Sequence, residues 1–303
     1  MVFADLLGVR LHRIPSVQAI QTSVDFLTSD TAHFIATVNP EFLIAGLTHP
    51  WFREMLNRAD LALVDGIGIA WAYEFFDHLP KWIPFMPKKF YRTWLTRWIW
   101  ARSFLVFLLS SCTRRRRHQQ RLSGSDFIIP LLQQLPSGTR IYLLGGEGRV
   151  AERVQTILQK KFLNLRFVGA EEGLRRIRIT SDGISLSTQD DEQLCERIRR
   201  QEPAVIFVAF GQMKQEAWIM QHLFHFPTTR LFMGVGGSFD FMSGVVRRAP
   251  VFVRSMGLEW LWRLILQPWR MGRIWTAVVR FPLAVLAQAY QEIELMASGT
   301  NQT

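Results

Sequence analysis

The stretch GVGGSFDFMSGVVRRAP, from Gly234 to Pro250, sets a glycine cluster, Asp240 and two arginines within a few residues of one another. Glycines such as Gly236 and Gly237 let backbone N–H groups approach a ligand closely, and Arg248 beside Arg247 favours an anion. A phosphate-bearing ligand suits that combination. Similar groups recur along the chain: Thr37 and Asn39 in TVNPE, Asp65 and Gly66 in LVDGIGIA, Gly145 and Gly146 in LLGGEGRVAERV, and Gly211, Lys214 and Gln215 in FGQMKQEAW. Each has a plain structural reading beside the chemical one. Asn39 before Pro40 caps a helix, Asp65-Gly66 makes a turn, and Gly145-Gly146 forms a tight packed turn. The LLGGEGRVAERV segment also approximates a dinucleotide fingerprint, with Ala151 in the third position and Glu171 after the next strand. A nicotinamide-dependent oxidoreductase is therefore one alternative.

In an open α/β sheet, ligands sit beyond the carboxyl ends of the strands. The candidates fall at the ends of runs that read as strands, at 33–39, 61–65, 140–146, 204–211 and 230–237, with a further run at 165–170. Several are apolar at consecutive positions, the mark of a parallel sheet buried on both faces. Helix-period stretches at 41–59, 147–162, 190–201 and 214–226 complete a repeated βα winding. The expected fold is thus α/β, a Rossmann-like parallel sheet with helices on both faces over 1–243. A helical appendage, expected to associate with membrane, follows over 244–303. The winding is interrupted at 77–121, where Pro80, Pro84 and Pro87 exclude a continuous helix and a Trp-rich segment follows, as in an insertion.

The 303 residues, 49% of them apolar, suffice for a substantial core. Cys112 and Cys195 are the two cysteines, too few and too far apart for a disulfide framework or a structural zinc site, so a reducing cytosolic setting is expected. The net charge of +11 is concentrated: Lys81 to Arg121 holds eleven Lys or Arg and no acidic residue, and Gly244 to Arg280 holds seven Arg against Glu259 alone. Both segments interleave Trp, Leu and Arg as interfacial membrane segments do, which favours a membrane surface over nucleic acid. The uncharged run from Ser103 to Thr113 is much shorter than the ~20 residues of a spanning helix. The N-terminus lacks the pattern of a signal peptide. A cytoplasmic protein, peripheral on the inner face of the cell membrane through 77–121 and 251–285, is the expectation, and it is compatible with a homo-oligomer. A non-catalytic basic membrane-binding module is the third reading.

TVNPE, LVDGIGIA, GSD at Gly124 to Asp126, GQMKQE, GVGGSFDFMSGVVRRAP and LEWLWRLILQPWRMGR, in that order over nearly the whole chain, resemble the WecG/TagA/CpsF family of bacterial glycosyltransferases. Met213 stands where that family usually carries proline, and the 77–121 stretch is longer and more basic than the usual connection. The resemblance implies transfer of an N-acetylmannosamine-type sugar, or its uronic acid, from a UDP-sugar donor to a polyprenyl-diphosphate-linked sugar acceptor, with inversion and no cofactor. Asp65 would be the base. Thr37 and Asn39 would orient donor hydroxyls or the acetamido group, assisted by Gln215. Gly236 and Gly237 would approach the nucleotide, and Asp240 would accept from ribose hydroxyls or uracil N–H, or else cap or pair with an arginine. Since the chain contains no DxD sequence, no metal is expected, and Arg263, Arg270 and Arg273 take over the diphosphate charge. The same arginines also suit membrane phosphates.

Overall fold

The structure, a computed structural model, describes residues 3–86, 89–110, 124–174, 176–250, 253 and 259–298. The chain divides into two compact units, the first formed by residues 1–38, 45–65 and 122–248, the second by 39–44, 66–121 and 249–303.

The first unit carries the strands β1 (Phe3–Leu6), β2 (Val9–His12), β3 (His33–Val38), β4 (Leu61–Val64), β5 (Arg140–Gly145), β6 (Arg166–Glu171), β7 (Arg178–Ile179), β8 (Ile184–Ser185), β9 (Val205–Ala209) and β10 (Leu231–Gly234). Eight of them form one sheet in the order β1-β2-β4-β3-β10-β9-β5-β6, and β7 pairs with β8 separately. From β2 to β6 every pairing is parallel, but β1 runs antiparallel to β2. The all-parallel expectation is corrected at that edge. The four-residue β1 and β2 turn at Leu7 and Gly8, both with positive φ, and are too short for periodicity to reveal.

Alternate residues of the central strands serve the two faces. Ile35, Leu61, Leu63, Ile141, Leu143, Val205, Phe207, Leu231 and Met233 share one core with α1 (Ser16–Asp25), α6 (Gly124–Gln134), α7 (Val150–Lys161) and α10 (Ser238–Met242). Phe232, the neighbour of two of them, instead meets Phe226 beyond α9 (Lys214–His222), so α9 covers the opposite face. There it packs with α3 (Pro50–Asn57) and is tied to α8 (Thr188–Arg200) through Trp218 Nε1, which donates to Asp191 Oδ1 at 2.8 Å. The single helix read over 41–59 is two, α2 (Pro40–Thr48) and α3, because Pro50 has no N–H to continue the ladder and holds His49 extended.

The second unit is helical. Its core is a four-residue repeat on α13 (Phe281–Ala297), where Phe281, Val285, Ala289 and Ile293 are buried. Against it lie α4 (Ile67–Asp77) and α5 (Lys89–Ser110), preceded by a short 3-10 turn at Ile83–Phe85 that follows from Pro80 and Pro84. Trp100 Nε1 donates to the Pro282 carbonyl at 2.9 Å, Arg97 Nε to Tyr290 Oη at 2.9 Å, and Lys89 pairs with Glu294 at 2.6 Å. The inserted segment and the tail are therefore one body. Between them in sequence lie α11 (Glu259–Leu266), a 3-10 turn at Pro268–Arg270 and α12 (Met271–Trp275). No helix among the described residues is long and apolar enough to cross a membrane. The Arg114 to Arg117 run lies outside the described residues.

Candidate active site

Parallel pairing puts the carboxyl ends of β4, β3, β10, β9 and β5 on one edge of the sheet, with Thr37 level with Leu63 and Gly234 level with Val208. Thr37 is buried, and its Oγ1 donates to the Gly234 carbonyl at 3.3 Å, so the end of β3 is fastened to the start of the glycine loop. Asp65 follows β4, half-buried, and its backbone N–H donates to the Val38 carbonyl at 2.7 Å. A side chain just past the sheet edge, partly withdrawn from water, is the environment a carboxylate base requires.

Beneath the loop lies a chain of hydrogen bonds. Gly236 N–H donates to Gln215 Oε1 at 3.0 Å, Gln215 Nε2 donates to Glu216 Oε1 at 2.6 Å, and Met213 N–H donates to Glu216 Oε2 at 2.8 Å. Gln215 is only 2% exposed, and a Cβ on Gly234 would come within 2.6 Å of its Nε2, so Gly234 is required by packing. Both amide atoms of Gln215 face the protein, and the residue acts on the loop through Gly236. Burial pushes the Glu216 carboxyl up to about 7, against the pull of its hydrogen bonds from Gln215 and Met213. Glu216 ends the Gly211 to Glu216 turn that the sequence marks as a candidate, but it carried no role of its own there; its signal was the acidic residue at the third helical position after a loop, the spacing of a capping box, which α9 indeed forms. Met213, buried, has φ +69, a value closed to proline, and it donates a hydrogen bond that proline lacks. The turn before Gln215 is held by a bond that a proline at position 213 has no N–H to make. Lys214 opens α9, half-buried, and Gly211 has φ +85.

Other candidates have found partners inside the protein. A Cβ on Gly145 would meet the Ala209 carbonyl carbon at 2.6 Å, and Gly146 N–H donates to the Ala209 carbonyl, so this pair realises the packed-turn reading between β5 and β9. Gly237 caps the five-residue α10, with Asp240 in its first turn. Arg248 donates to Asp126 Oδ1 at 2.6 Å, joining the RAP segment to GSD. Glu171, the acid of the dinucleotide fingerprint, is bound twice: Tyr142 Oη donates to it at 2.5 Å and Arg197 forks onto its Oε2. Burial and that bond raise the Tyr142 phenol, and the bond to Glu171 raises Arg197. A carboxylate engaged in this way is not presented to a ribose, which removes the main support of the nicotinamide reading.

In the second unit, Asn39 Oδ1 accepts from Phe42 N–H at 3.1 Å, which realises the helix-capping reading. Gly66 has φ +101 and a Cβ there would meet Pro40 at 3.6 Å. Arg273 Nε donates to Glu41 Oε2 at 2.5 Å, linking α12 to the NPE turn. Arg270 is half-buried in the turn before α12, and Arg263 lies on α11. Glu41 and Asp126 lie in the quoted TVNPE and GSD motifs but carried no role of their own, because their partners are 232 and 122 positions away.

Among the described residues, Asp191, Cys195 and His222 have donor atoms within 4.8 Å of one another, close enough to hold a metal ion. They lie between α8 and α9 and already satisfy one another. His222 Nε2 meets Asp191 Oδ2 at 2.9 Å and its Nδ1 meets the Trp218 carbonyl at 2.8 Å. Burial pulls the His222 pKa down, but the Asp191 and Cys195 hydrogen bonds outweigh it and raise it to about 10. The group is a buried ion pair clamping two helices.

The sequence profile of the Glycosyl transferase WecG/TagA/CpsF family matches residues 4–86 and 89–294. The chain belongs to that family. It is a glycosyltransferase, then, and the match runs through both units. Among its relatives is the N-acetylglucosaminyldiphosphoundecaprenol N-acetyl-beta-D-mannosaminyltransferase of Bacillus subtilis (strain 168), 28% identical over 285 residues, which cover 92% of this chain and 91% of the relative. A protein of the same description from Staphylococcus aureus (strain NCTC 8325 / PS 47) is 26% identical over 275 residues, 89% of this chain and 87% of the relative. The similarity of this glycosyltransferase to these relatives thus runs over about nine-tenths of each chain.

Proposed function

We propose that this glycosyltransferase moves an N-acetylmannosamine-type sugar from a UDP-sugar to a sugar carried on a polyprenyl diphosphate, with inversion, in cell-surface polysaccharide synthesis. The observation that carries the reading is the clustering at one sheet edge of Thr37, Asp65 and the glycine loop, with Thr37 bonded to Gly234 and Gln215 bonded to Gly236. The relatives' description as mannosaminyltransferases supports the sugar and the lipid-linked acceptor.

In this mechanism Asp65 takes the proton of the acceptor hydroxyl as that oxygen attacks the anomeric carbon, and the sugar–phosphate bond breaks with its electrons on the departing UDP. Thr37 and the Asn39 amide nitrogen orient the donor sugar. Gly237 offers close backbone approach to the nucleotide, Asp240 accepts from its hydroxyls or its base, and Gln215 fixes the loop through Gly236. Lys214 and Arg263, Arg270 and Arg273 offset the charge of the diphosphate, the role for which the sequence offers no DxD element. An assay of the full chain with UDP-N-acetylmannosamine and a polyprenyl-diphosphate-linked N-acetylglucosamine should show transfer, and a chelator should leave it standing. No transfer from any UDP-sugar would sink the reading. Loss in chelator restored by magnesium or manganese would overturn the arginine assignment.

A further inference from the structure

We propose that α5 is the membrane-docking element of this chain, lying in the plane of an anionic bilayer and inserting one aromatic stripe. Phe90, Trp94, Trp98 and Leu105 are 72%, 58%, 50% and 56% exposed. Spacings of four, four and seven put them on one face of the helix. A different face carries the contacts with the rest of the second unit: Thr96 is buried, Trp100 is bonded to Pro282, and Ser103 accepts from Trp71 Nε1 at 3.3 Å. The helix thus turns Thr96, Trp100, Ser103 and Phe104 inward, the last with its ring 5.1 Å from that of Trp71, and shows water Phe90, Trp94, Trp98 and Leu105. Phe85, 81% exposed, and the exposed Trp82 come shortly before the helix in sequence. A folded protein rarely leaves so much contiguous aromatic surface uncovered without a partner for it.

Charge decides which partner. From Lys81 to Arg121 there is no acidic residue, and Arg97 and Arg102 flank the stripe on its two sides, with Arg102 stacked over Trp98 at 5.4 Å. A second copy would have to bring the same positive face against itself in a two-fold contact. An anionic leaflet supplies the opposite charge to the arginines, and its headgroup boundary is where Trp rings are most at home. The arginines also keep α5 from the apolarity needed to cross, so it lies flat. Because α5 is bonded to α13 through Lys89, Arg97 and Trp100, the docked helix carries the second unit with it. This inference deepens the reading of a lipid-linked acceptor by naming the surface met, and its test needs no transfer reaction.

The experiment is co-sedimentation of the full chain with vesicles of phosphatidylcholine containing phosphatidylglycerol, for the unmodified protein and for the Phe90→Ser, Trp94→Ser, Trp98→Ser triple variant. The expected result is at least a tenfold weaker association of the triple variant, with unmodified binding falling as salt rises. In parallel, brominated lipids should quench tryptophan fluorescence in the unmodified protein and lose most of that effect in a Trp94→Phe, Trp98→Phe variant, which keeps ring packing and so keeps the test valid if the triple variant folds poorly. Unaltered quenching in the Phe variant overturns the proposal. So does a stripe whose replacement converts a dimer to a monomer without changing vesicle binding, which would make a second copy the occupant. Absence of sugar transfer with vesicle docking intact would count against the transfer reading and leave docking in place.

Discussion

Asp65, the proposed base, and Glu216, buried beneath the glycine loop, each make a separate prediction. Asp65 stands at the open edge of the sheet, so Asp65→Asn should lower turnover by about 10² or more while leaving UDP affinity nearly unchanged; isothermal titration and steady-state kinetics on one preparation check both halves. Glu216 is fully enclosed and raised to about 7. A carboxyl whose folded pKa exceeds its unfolded value binds more protons in the folded state, so its contribution to stability falls as pH rises from about 4.5 to about 7 and stays low above that. Glu216→Gln should flatten the pH dependence of unfolding free energy across that window. It should also cost about 1–3 kcal/mol, because Gln215 and Met213 donate to different oxygens of the carboxylate, and the NH2 that replaces one of them would face a donor. Denaturant melts of the two proteins at several pH values test this, and parallel pH profiles would refute it. Residue identity was legible in the sequence at both places, yet only Asp65 was picked out. A strand-end DG advertises itself, whereas the spacing of Glu216 announces only a helix cap and leaves its burial unannounced.

At the scale of elements, the NPE turn and α12 are held together by Glu41 and Arg273. The bond to Glu41 holds the Arg273 side chain in place, and in the proposed mechanism an arginine held in this way meets the diphosphate with little reorganisation. Arg273→Ala should reduce transfer about 10²-fold even to a soluble, short-chain acceptor for which docking is irrelevant, and Glu41→Gln should reduce it less. Full activity of Arg273→Ala on the soluble acceptor would leave this arginine as a lipid anchor. The βα elements themselves were readable because strands and helices carry different periods. Their ends were set by particular residues: Pro50 divides α2 from α3, and Met213 holds a positive φ that a proline would forbid.

For the whole molecule, the ten strands among the described residues precede Pro250, but α13, on which α4 and α5 pack, follows it. Truncation after Pro250 should therefore keep the sheet unit's spectrum and its cooperative unfolding, abolish transfer, and expose the second unit's remaining helices to proteolysis. Limited proteolysis with mass spectrometry reads the last point, and protection of 66–110 in the truncated chain would contradict it. The sequence by itself determined the family, the winding, the candidates at the strand ends and the two basic, Trp-rich segments, because each is written in local composition, spacing or motif. Tertiary structure alone decided that those two segments build one helical body, that Gln215 faces inward to Gly236, and that Glu171 belongs to Arg197 and Tyr142. The reason is physical. Which donor meets which acceptor across 193 residues, as Arg97 meets Tyr290, depends on how buried faces pack, and packing is a property of the folded chain rather than of any stretch of it.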